Sequence, residues 1–418
     1  MLYLAAMHPQ SLSIRDFTYE LPPDRIAYHP LPDRDGSKLL IYKQGSITED
    51  IYRNIGQHIP TDSLLILNNT RVVEARILFR KPTGGIIEIF CLEPHAQYAD
   101  ITTAMQQRKK IVWHCLIGGA SKWKPGQVLK KQIGTNAPLT LQARYLDKQG
   151  DSFTIELSWQ PEDLSFAEVL HRTGVMPLPP YIKRAAEQSD AERYQTIYAQ
   201  AEGSVAAPTA GLHFTHRVFD SLQARNIQRA NVTLHVSAGT FKPVKSETMA
   251  GHEMHAEFIE VRSESILQVL QFLDSPITVT GTTSLRTVES LYWLGVKIIR
   301  QPDLPAEDWT VHQWDPYSLE KEKIPVKEAL HALIEKLKQL RTDRLIARTQ
   351  LLIAPGYAFK IPTALVTNFH QPQSTLLLLI AAFVGEDWRK IYKYALDNDF
   401  RFLSYGDGCL LMRDRSIS

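Results

Sequence analysis

The sequence lacks the residues and motifs that mark the common cofactor and metal sites. Its three cysteines, Cys91, Cys115 and Cys409, are far apart and form no CxxC pair, which excludes zinc ribbons, thiol redox motifs and cysteine-held iron–sulfur clusters. No GxxxxGK(S/T), GxGxxG or GxSxG string occurs, so the fingerprints of nucleoside triphosphatases, dinucleotide-binding folds and serine hydrolases are missing. We therefore expect neither a metal nor a redox cofactor.

Long apolar runs and an excess of charge are also missing. The longest apolar run, 376–384, has 9 residues, whereas roughly 20 are needed to span a bilayer. The first residues, MLYLAAM, are followed by no basic residue before Arg15, unlike a secretory signal. The sequence predicts a soluble cytoplasmic protein without a membrane partner, and its net charge of +2 by itself gives no sign of nucleic acid.

The spacing of apolar residues predicts two kinds of structure. Between residues 76 and 159 six short strands follow one another without a helix, and Phe153, Ile155, Leu157 and Trp159 alternate at period two, as in a small β-barrel. Outside that window strands alternate with amphipathic helices, the pattern of a mixed α/β layer. We predict a discontinuous α/β domain, 1–70 and 166–418, and an inserted β-barrel domain at 71–165.

Two helices are predicted from local signals. A capping box at 165–168 opens a helix that ends before Gly174, and it marks the return of the chain from the barrel. A second helix, 326–340, has apolar residues on one face.

The predicted barrel carries most of the positive charge. From residue 71 to 131 there are 11 Lys or Arg and 4 Asp or Glu, a local excess of 7. Such residues can follow a phosphate backbone, although a solvated surface of a small barrel has the same composition. The candidate RNA-binding residues are Arg71, Arg108, Lys109, Lys110, Lys122 and Lys124.

Segment 277–290 is a strand that runs into hydroxyl residues and then into a helix. Thr282, Thr283 and Ser284 start that helix, where backbone N–H groups lack partners, and Arg286 adds a cation. A carboxylate or phosphate would be stabilised there. Ordinary N-capping explains the same residues.

Segment 203–215 is rich in small residues, which let a ligand approach the main chain. Thr209 and Gly211 are candidate substrate-binding residues, and His213 is a candidate general acid or base. A structural histidine is the alternative. His235, His252 and His255 permit a metal site, but their spacing is not HExxH.

Two further loops place polar groups after strands. Asn368 and His370 precede an N-cap, Ser374, in a loop suited to hydrogen bonds with a base edge. Asp407 and Tyr405 lie in a tight turn at 404–408, where the carboxylate faces a ligand or bonds its own backbone.

Taken together, these strings resemble the S-adenosylmethionine:tRNA ribosyltransferase-isomerases of queuosine biosynthesis. The matching stretches run from residue 16 to 411, and the segment 295–349 is longer than the family's usual connection. They include NNTRVVEARI, GSVAAPTAGLHFT, LHVSAGTF, HEMHAEF, GTTSLRTVES, LVTNFHQPQSTLL and FLSYGDGCLL.

The resemblance implies an α/β domain with an inserted barrel. It also implies transfer and isomerisation of the ribosyl group of S-adenosylmethionine onto 7-aminomethyl-7-deazaguanine at the tRNA wobble position, giving epoxyqueuosine, adenine and methionine. The implied partners are S-adenosylmethionine, as co-substrate, and the tRNA anticodon loop, and we expect a monomer.

We assign roles to the candidate residues within that reaction. His213 is the acid/base group, with Glu253 or Asp407 as its carboxylate partner. Arg286 and the loop 282–284 hold the methionine carboxylate or a tRNA phosphate, and Asn368 and His370 bond a base edge.

Aromatic residues that would receive the unstacked base are Tyr181, Phe214 and Tyr405, unless they belong to the core. The alternatives are a non-catalytic RNA-binding relative and a metal hydrolase that uses His235, His252 and His255.

Overall fold

The computed structural model describes residues 8–98, 100–124, 126–134, 138–150, 152–236 and 246–413. These residues form 19 strands and 11 α-helices. The strands are β1 Lys38–Lys43, β2 Ser46–Ile51, β3 Leu64–Asn68, β4 Thr70–Val72, β5 Arg76–Arg80, β6 Ile86–Pro94, β7 Lys110–Gly118, β8 Val128–Ile133, β9 Leu139–Gln149, β10 Ser152–Gln160, β11 Gly174–Val175, β12 Ala201–Ser204, β13 Gln228–His235, β14 Glu257–Arg262, β15 Ile277–Thr280, β16 Thr310–Val311, β17 Arg344–Thr349, β18 Ala364–Asn368 and β19 Gly408–Met412. The helices are α1 Ile55–His58, α2 Ile101–Met105, α3 Phe166–Thr173, α4 Asp190–Arg193, α5 His216–Gln223, α6 Ser263–Gln271, α7 Gly281–Arg300, α8 Asp315–Leu319, α9 Val326–Gln339, α10 Thr375–Val384 and α11 Asp387–Asp397.

A ten-stranded mixed sheet forms the centre of the larger part of the chain. Its order is β16-β17-β14-β13-β3-β15-β18-β19-β1-β2, and the four central strands, β13, β3, β15 and β18, are parallel. Strands β3, β15 and β18 are buried along their whole length, as parallel strands covered on both faces are. All four therefore end at the same edge of the sheet.

The helices predicted from local signals are present. Helix α3 begins with the capping box of Ser165 and Glu168 and ends at Gly174, and α9 covers 326–339. In the longer segment, 295–349, α9 packs on α7, and β16 and β17 extend the sheet. Gly295 allows that packing, because a Cβ there would lie 2.2 Å from the carbonyl oxygen of Ala329.

A second, seven-stranded sheet contains all six strands predicted between residues 76 and 159. Its order is β11-β5-β6-β7-β10-β9-β8, and neighbouring strands are antiparallel. Strands β5 and β8 approach each other, so the sheet is curled, but no ladder joins them within the described ranges. The mixed α/β class is confirmed, whereas closure into a barrel stays a prediction.

The curled sheet has a hydrophobic core of its own, centred on Trp113, Ile155 and Phe166. Since Phe166 belongs to α3, that helix packs with the curled sheet although the predicted boundary at 165 assigned it to the other domain. The domain limits remain a prediction. In the part of the chain that the structure covers, no helix has the length and apolar content that crossing a bilayer requires.

Candidate active site at the carboxyl edge of the sheet

A cavity of about 120 Å³ opens at the edge where the parallel strands end. A ligand site at this edge is expected for open α/β sheets, because loops from several strands meet there. Its described wall contains hydroxyl, amide and imidazole groups but no Asp, Glu, Lys or Arg. The lining residues are Pro180, Tyr181, Tyr194, Ala206, Ala207, Pro208, Thr209, Ala210, Val236, Gly281, Thr282, Thr283, Thr367, Asn368, Phe369, His370, Gln371, Ser374, Leu376, Leu403 and Ser404.

The start of α7 forms one side of this cavity. Gly281 has a φ of +86°, a conformation that favours glycine, and it turns the chain from β15 into the helix. Thr282 and Thr283 follow on the cavity wall. Ser284, also predicted to bind substrate, is fully buried and donates its hydroxyl to the Thr280 carbonyl at 2.6 Å, so it stabilises the helix instead of facing the cavity.

Arg286 lies outside the cavity wall. Its guanidinium forms a buried ion pair with Glu257, the first residue of β14, and its Nε donates to the Leu351 carbonyl at 3.0 Å. The charge of Arg286 is therefore already balanced within the protein, and the sequence did not indicate Glu257 as its partner.

Thr209 and Asn368 lie next to each other on the cavity wall. The Thr209 hydroxyl donates to Asn368 Oδ1 at 2.8 Å, and Asn368 Nδ2 has no partner among the described residues. Gly211 is not on the wall; a Cβ there would lie 2.0 Å from the Tyr198 hydroxyl oxygen, so the glycine permits close packing.

His370 lies on the cavity wall, and hydrogen bonds hold both its side chain and its backbone. Its Nε2 lies 2.9 Å from the Thr367 hydroxyl, and its backbone N–H donates to the Tyr392 hydroxyl at 3.0 Å. Desolvation lowers the pKa of His370 to about 4, so its imidazole is neutral at physiological pH. It is suited to exchange hydrogen bonds with a neutral base.

His213 lies beside a smaller cavity of about 10 Å³, which shares Ser404 with the larger one. Its Nδ1 lies 3.1 Å from the Arg34 carbonyl, and its Nε2 makes no hydrogen bond of normal length to a described residue. Burial lowers the pKa of His213, and the Arg34 carbonyl and Asp407 partly oppose that shift. The lowered pKa leaves the imidazole neutral, as a general base requires, and the Gly406 backbone also lies within reach of the ring.

Asp407 and Tyr405 are both engaged in bonds that hold their loop. The Asp407 carboxylate accepts from the backbone N–H groups of Lys38 at 3.0 Å and Arg401 at 2.7 Å. Tyr405 donates to Asp190 at 2.8 Å, and Asp190 is also bound by Arg184. Both side chains are buried; Tyr405 lies on the wall of the smaller cavity that His213 also lines, whereas Asp407 lies on the wall of neither of these two cavities.

The predicted partner carboxylate Glu253 is exposed and makes no hydrogen bond or ion pair with His213. The residues on either side of Glu253 are hydrogen-bonded to Gln313, which belongs to the longer segment 295–349. The Gln313 side chain accepts from the Met254 N–H at 2.9 Å and donates to the His252 carbonyl at 2.8 Å. In the described ranges no three His, Cys, Asp or Glu side chains group as metal ligands. Residues 237–245, which include most of LHVSAGTF, lie outside those ranges.

His235 should make the protein less stable as the pH falls. Its side chain is buried at the end of β13, and desolvation lowers its pKa from 6.5 to about 4. Between these values the unfolded chain binds a proton there and the folded chain does not, so His235 by itself lowers the free energy of unfolding by about 1.4 kcal/mol for each pH unit of acidification. This stability is complete above pH 6.5 and lost near the folded pKa of about 4.

Urea unfolding at several pH values tests this expectation. His235→Gln should flatten the pH dependence in that range, whereas His216→Gln, at an exposed histidine, should leave it as steep as in the wild type. An unchanged slope in the His235 variant would contradict the assignment.

The sequence reasoning missed two residues that shape the site. Tyr194 is fully buried on the cavity wall, and its hydroxyl has no partner at normal hydrogen-bond length within the described ranges. Asn68, at the end of β3, donates to the Leu234 carbonyl at 3.1 Å and to Thr283 Oγ1 at 3.3 Å, which joins three of the converging segments. Its position directly after the apolar run 64–67 was the available signal.

Residues 14–411 of this chain match the family described as queuosine biosynthesis protein. The chain belongs to this family. It is 35% identical over 406 residues to the S-adenosylmethionine:tRNA ribosyltransferase-isomerase of Thermotoga maritima, covering 96% of this chain and 100% of the relative. The enzyme of the same name from Azoarcus sp. is 35% identical over 407 residues, with coverages of 97% and 99%. A crystal structure of S-adenosylmethionine tRNA ribosyltransferase from Thermotoga maritima is 27% identical, covers 95% of this chain and 100% of that one, and has a TM-score of 0.45.

In this member of the queuosine biosynthesis family, the candidate RNA-binding cations fall into separate groups. Arg108, Lys109 and Lys110 precede or begin β7, while Lys122 and Lys124 follow the other end of this nine-residue strand, which is about 26 to 30 Å long at about 3.3 Å per residue. Two are paired, because Lys109 lies 2.8 Å from Glu162 and Lys110 3.5 Å from Glu156. Arg71 lies apart on β4, 3.9 Å from Glu202.

The other predicted aromatic residues differ in accessibility. Tyr181 lies on the cavity wall, and its hydroxyl is 2.5 Å from Ser404 Oγ. Phe214 is fully buried in the core beneath β1 and β3. Of the three predicted base-stacking residues, Tyr181 is thus the one on the larger cavity.

Proposed function

We propose that this protein is an S-adenosylmethionine:tRNA ribosyltransferase-isomerase, which modifies tRNA in queuosine biosynthesis. Relatives with that name are 35% identical over 96% of the chain, and the family match spans residues 14–411. The substrates are S-adenosylmethionine and tRNA. The acceptor is 7-aminomethyl-7-deazaguanine at the wobble position, and the products are epoxyqueuosine in tRNA, adenine and methionine.

The observation that carries this proposal is the meeting of three motif segments on one cavity. Segments 206–210, 281–283 and 367–371 are far apart in sequence, yet all line the same space at the carboxyl edge. Each belongs to a string on which the family resemblance depends. A cavity built from them is therefore the candidate reaction site.

The proposed chemistry begins at the sulfonium of S-adenosylmethionine. Its positive charge acidifies the adjacent ribose 5′ carbon, so a base can remove a proton there and adenine can depart. The aminomethyl group of the tRNA base then attacks as a free amine, and methionine leaves as a neutral thioether while the epoxide closes. One positioned acid/base group contributes roughly 10²- to 10⁴-fold to such steps.

We assign the protein groups by their positions around the cavity. His213 is neutral and acts as the acid/base group through the smaller cavity next to Ser404. Asp407 holds this loop and its charge acts on His213, so we assign Asp407 as the carboxylate partner in place of the exposed Glu253. Asn368 and His370 contact the donor, and Tyr181 receives the base, which must leave the anticodon stack to be modified.

Incubation with S-adenosylmethionine and tRNA that carries the precursor base tests the function. Release of adenine together with the mass increase of epoxyqueuosine in the tRNA is the expected result. Salt-dependent tRNA binding without adenine release would instead support a non-catalytic RNA-binding relative.

The curled sheet, which we propose to act as a barrel-like domain, supplies an RNA-binding surface. Lys122 and Lys124 are exposed, and Lys81 donates to the Lys122 carbonyl at 2.5 Å, so three cations cluster at this end of the sheet. They would contact the tRNA backbone while the anticodon loop enters the cavity. We propose that the protein works as a monomer in the cytoplasm.

Replacing Lys122 and Lys124 by alanine should reduce the salt dependence of tRNA binding. Each lost phosphate contact lowers the slope of log Kd against log salt concentration by about 0.7 to 0.9, because fewer counterions are released. Filter binding over a salt series measures the slope. Lys338→Ala, at an exposed position of α9, is the control, and equal slopes for all variants would contradict this surface.

A further inference from the structure

The first turn of α7 presents backbone donors at the cavity. The helix is 20 residues long, and its N-cap residue, Thr280, makes no side-chain capping bond. The backbone N–H groups of Thr282 and Thr283 are in the first turn, so no carbonyl of the helix accepts a hydrogen bond from them. Both residues lie on the cavity wall. Such a helix end carries roughly half a positive charge, which favours an anion.

Asn368 adds a second donor in the same corner. Its side chain is 3% exposed, and the hydroxyl of Thr209 donates to its Oδ1, which leaves Nδ2 with no partner among the described residues. Thr280 pairs with Val366 across β15 and β18, so Asn368, two residues further along β18, lies beside the first turn of α7. A buried donor of this kind is costly unless a ligand accepts from it.

The nearby cation, Arg286, does not take part in this side of the cavity wall. Arg286 is paired with Glu257 and bonded to the Leu351 carbonyl; its Nη2 has no partner among the described residues, but the side chain is not part of the described cavity wall. An anion in the cavity would thus be bound by uncharged N–H groups and by the helix end.

We infer that the first turn of α7 and the Asn368 amide form a carboxylate-binding subsite, which holds the amino-acid end of the sulfonium donor. The inference rests on the proposed function and adds the orientation of the donor, with its methionine carboxylate at α7. A tRNA phosphate is the other anion that the same donors would accept.

Binding of two ligands without tRNA tests the subsite. Calorimetry compares S-adenosylmethionine with its decarboxylated analogue, which keeps the sulfonium, ribose and adenine. The wild type should prefer the carboxylated ligand by about 10- to 100-fold, the range for hydrogen bonds to a charged group. Asn368→Asp, which replaces the donor by a like-charged acceptor, should remove that preference and weaken S-adenosylmethionine binding at least about tenfold.

Asn231→Asp is the matched control, since Asn231 is exposed on β13 of the same sheet. It should keep the wild-type preference. Equal binding of both ligands by the wild type would overturn the inference without any variant. So would an Asn368→Asp protein that keeps the preference but loses tRNA affinity, since the bound anion would then be a phosphate.

The adenine-release assay separates this inference from the proposed function. Adenine release by a wild-type enzyme that shows no carboxylate preference would retain the function and reject the subsite. A clear preference without adenine release would retain the subsite and reject the catalytic activity.

Discussion

Replacing His213 by glutamine should lower kcat by about 100- to 10,000-fold, the usual contribution of an acid/base group. The affinity for S-adenosylmethionine should change little, because His213 lies beside the smaller cavity and not on the wall of the larger one. Glutamine keeps a side chain of similar reach but has no nitrogen that takes up a proton. Single-turnover adenine release and calorimetric binding measure the two quantities separately.

His216→Gln provides the control for this experiment. His216 is exposed at the start of α5, three residues from His213, so the same substitution there should leave both quantities unchanged. If His213→Gln retained wild-type turnover, His213 would be a structural residue. His370 would then be the next candidate, since its imidazole lies on the larger cavity.

Replacing Arg286 by methionine should lower the free energy of unfolding by about 3 to 5 kcal/mol, because it leaves the Glu257 carboxylate buried without its guanidinium partner. The side chains of this pair are only 8% and 3% exposed, so water cannot compensate for the loss. The pair joins α7 to β14, and its loss should also loosen the start of α7. Urea or guanidinium unfolding measures the change.

Two comparisons make this prediction specific. Arg344→Met breaks the ion pair with Glu260, whose side chains are 44% and 20% exposed, and should cost less than about 1 kcal/mol. The double variant Arg286→Met with Glu257→Leu should recover part of the stability, since it removes both charges. A loss for Arg286→Met no larger than that of the surface variant would show that the pair contributes little.

Short-range features of the fold were predictable because their signals are local. The capping box at Ser165 and Glu168, the N-cap Ser374 and the six strands of the curled sheet each depend on residues a few positions apart. The same holds for α9, whose apolar spacing predicted 326–340 against the observed 326–339.

The roles of individual polar residues were harder to predict. Ser284 and Arg286 belong to the same string as Thr282, but successive positions on a helix point in different directions, and only Thr282 and Thr283 of that string's four candidates reach the cavity. Asp407 illustrates the same limit, since its carboxylate is taken by the N–H groups of Lys38 and Arg401. Burial and hydrogen-bond partners separate a ligand-facing group from a structural one.

The sequence by itself determined the class of structure, the positions of most strands and helices, the basic character of the curled sheet and the strings that identify the family. Only the tertiary structure decided which loops meet, because strand order in a sheet depends on contacts between distant residues, such as Asn68 and Thr283, which are 215 positions apart. The parallel order of β13, β3, β15 and β18 brings their carboxyl ends to one edge. That arrangement creates the cavity, leaves Asn368 Nδ2 unpaired within the described residues, and pairs Arg286 with Glu257 away from the cavity.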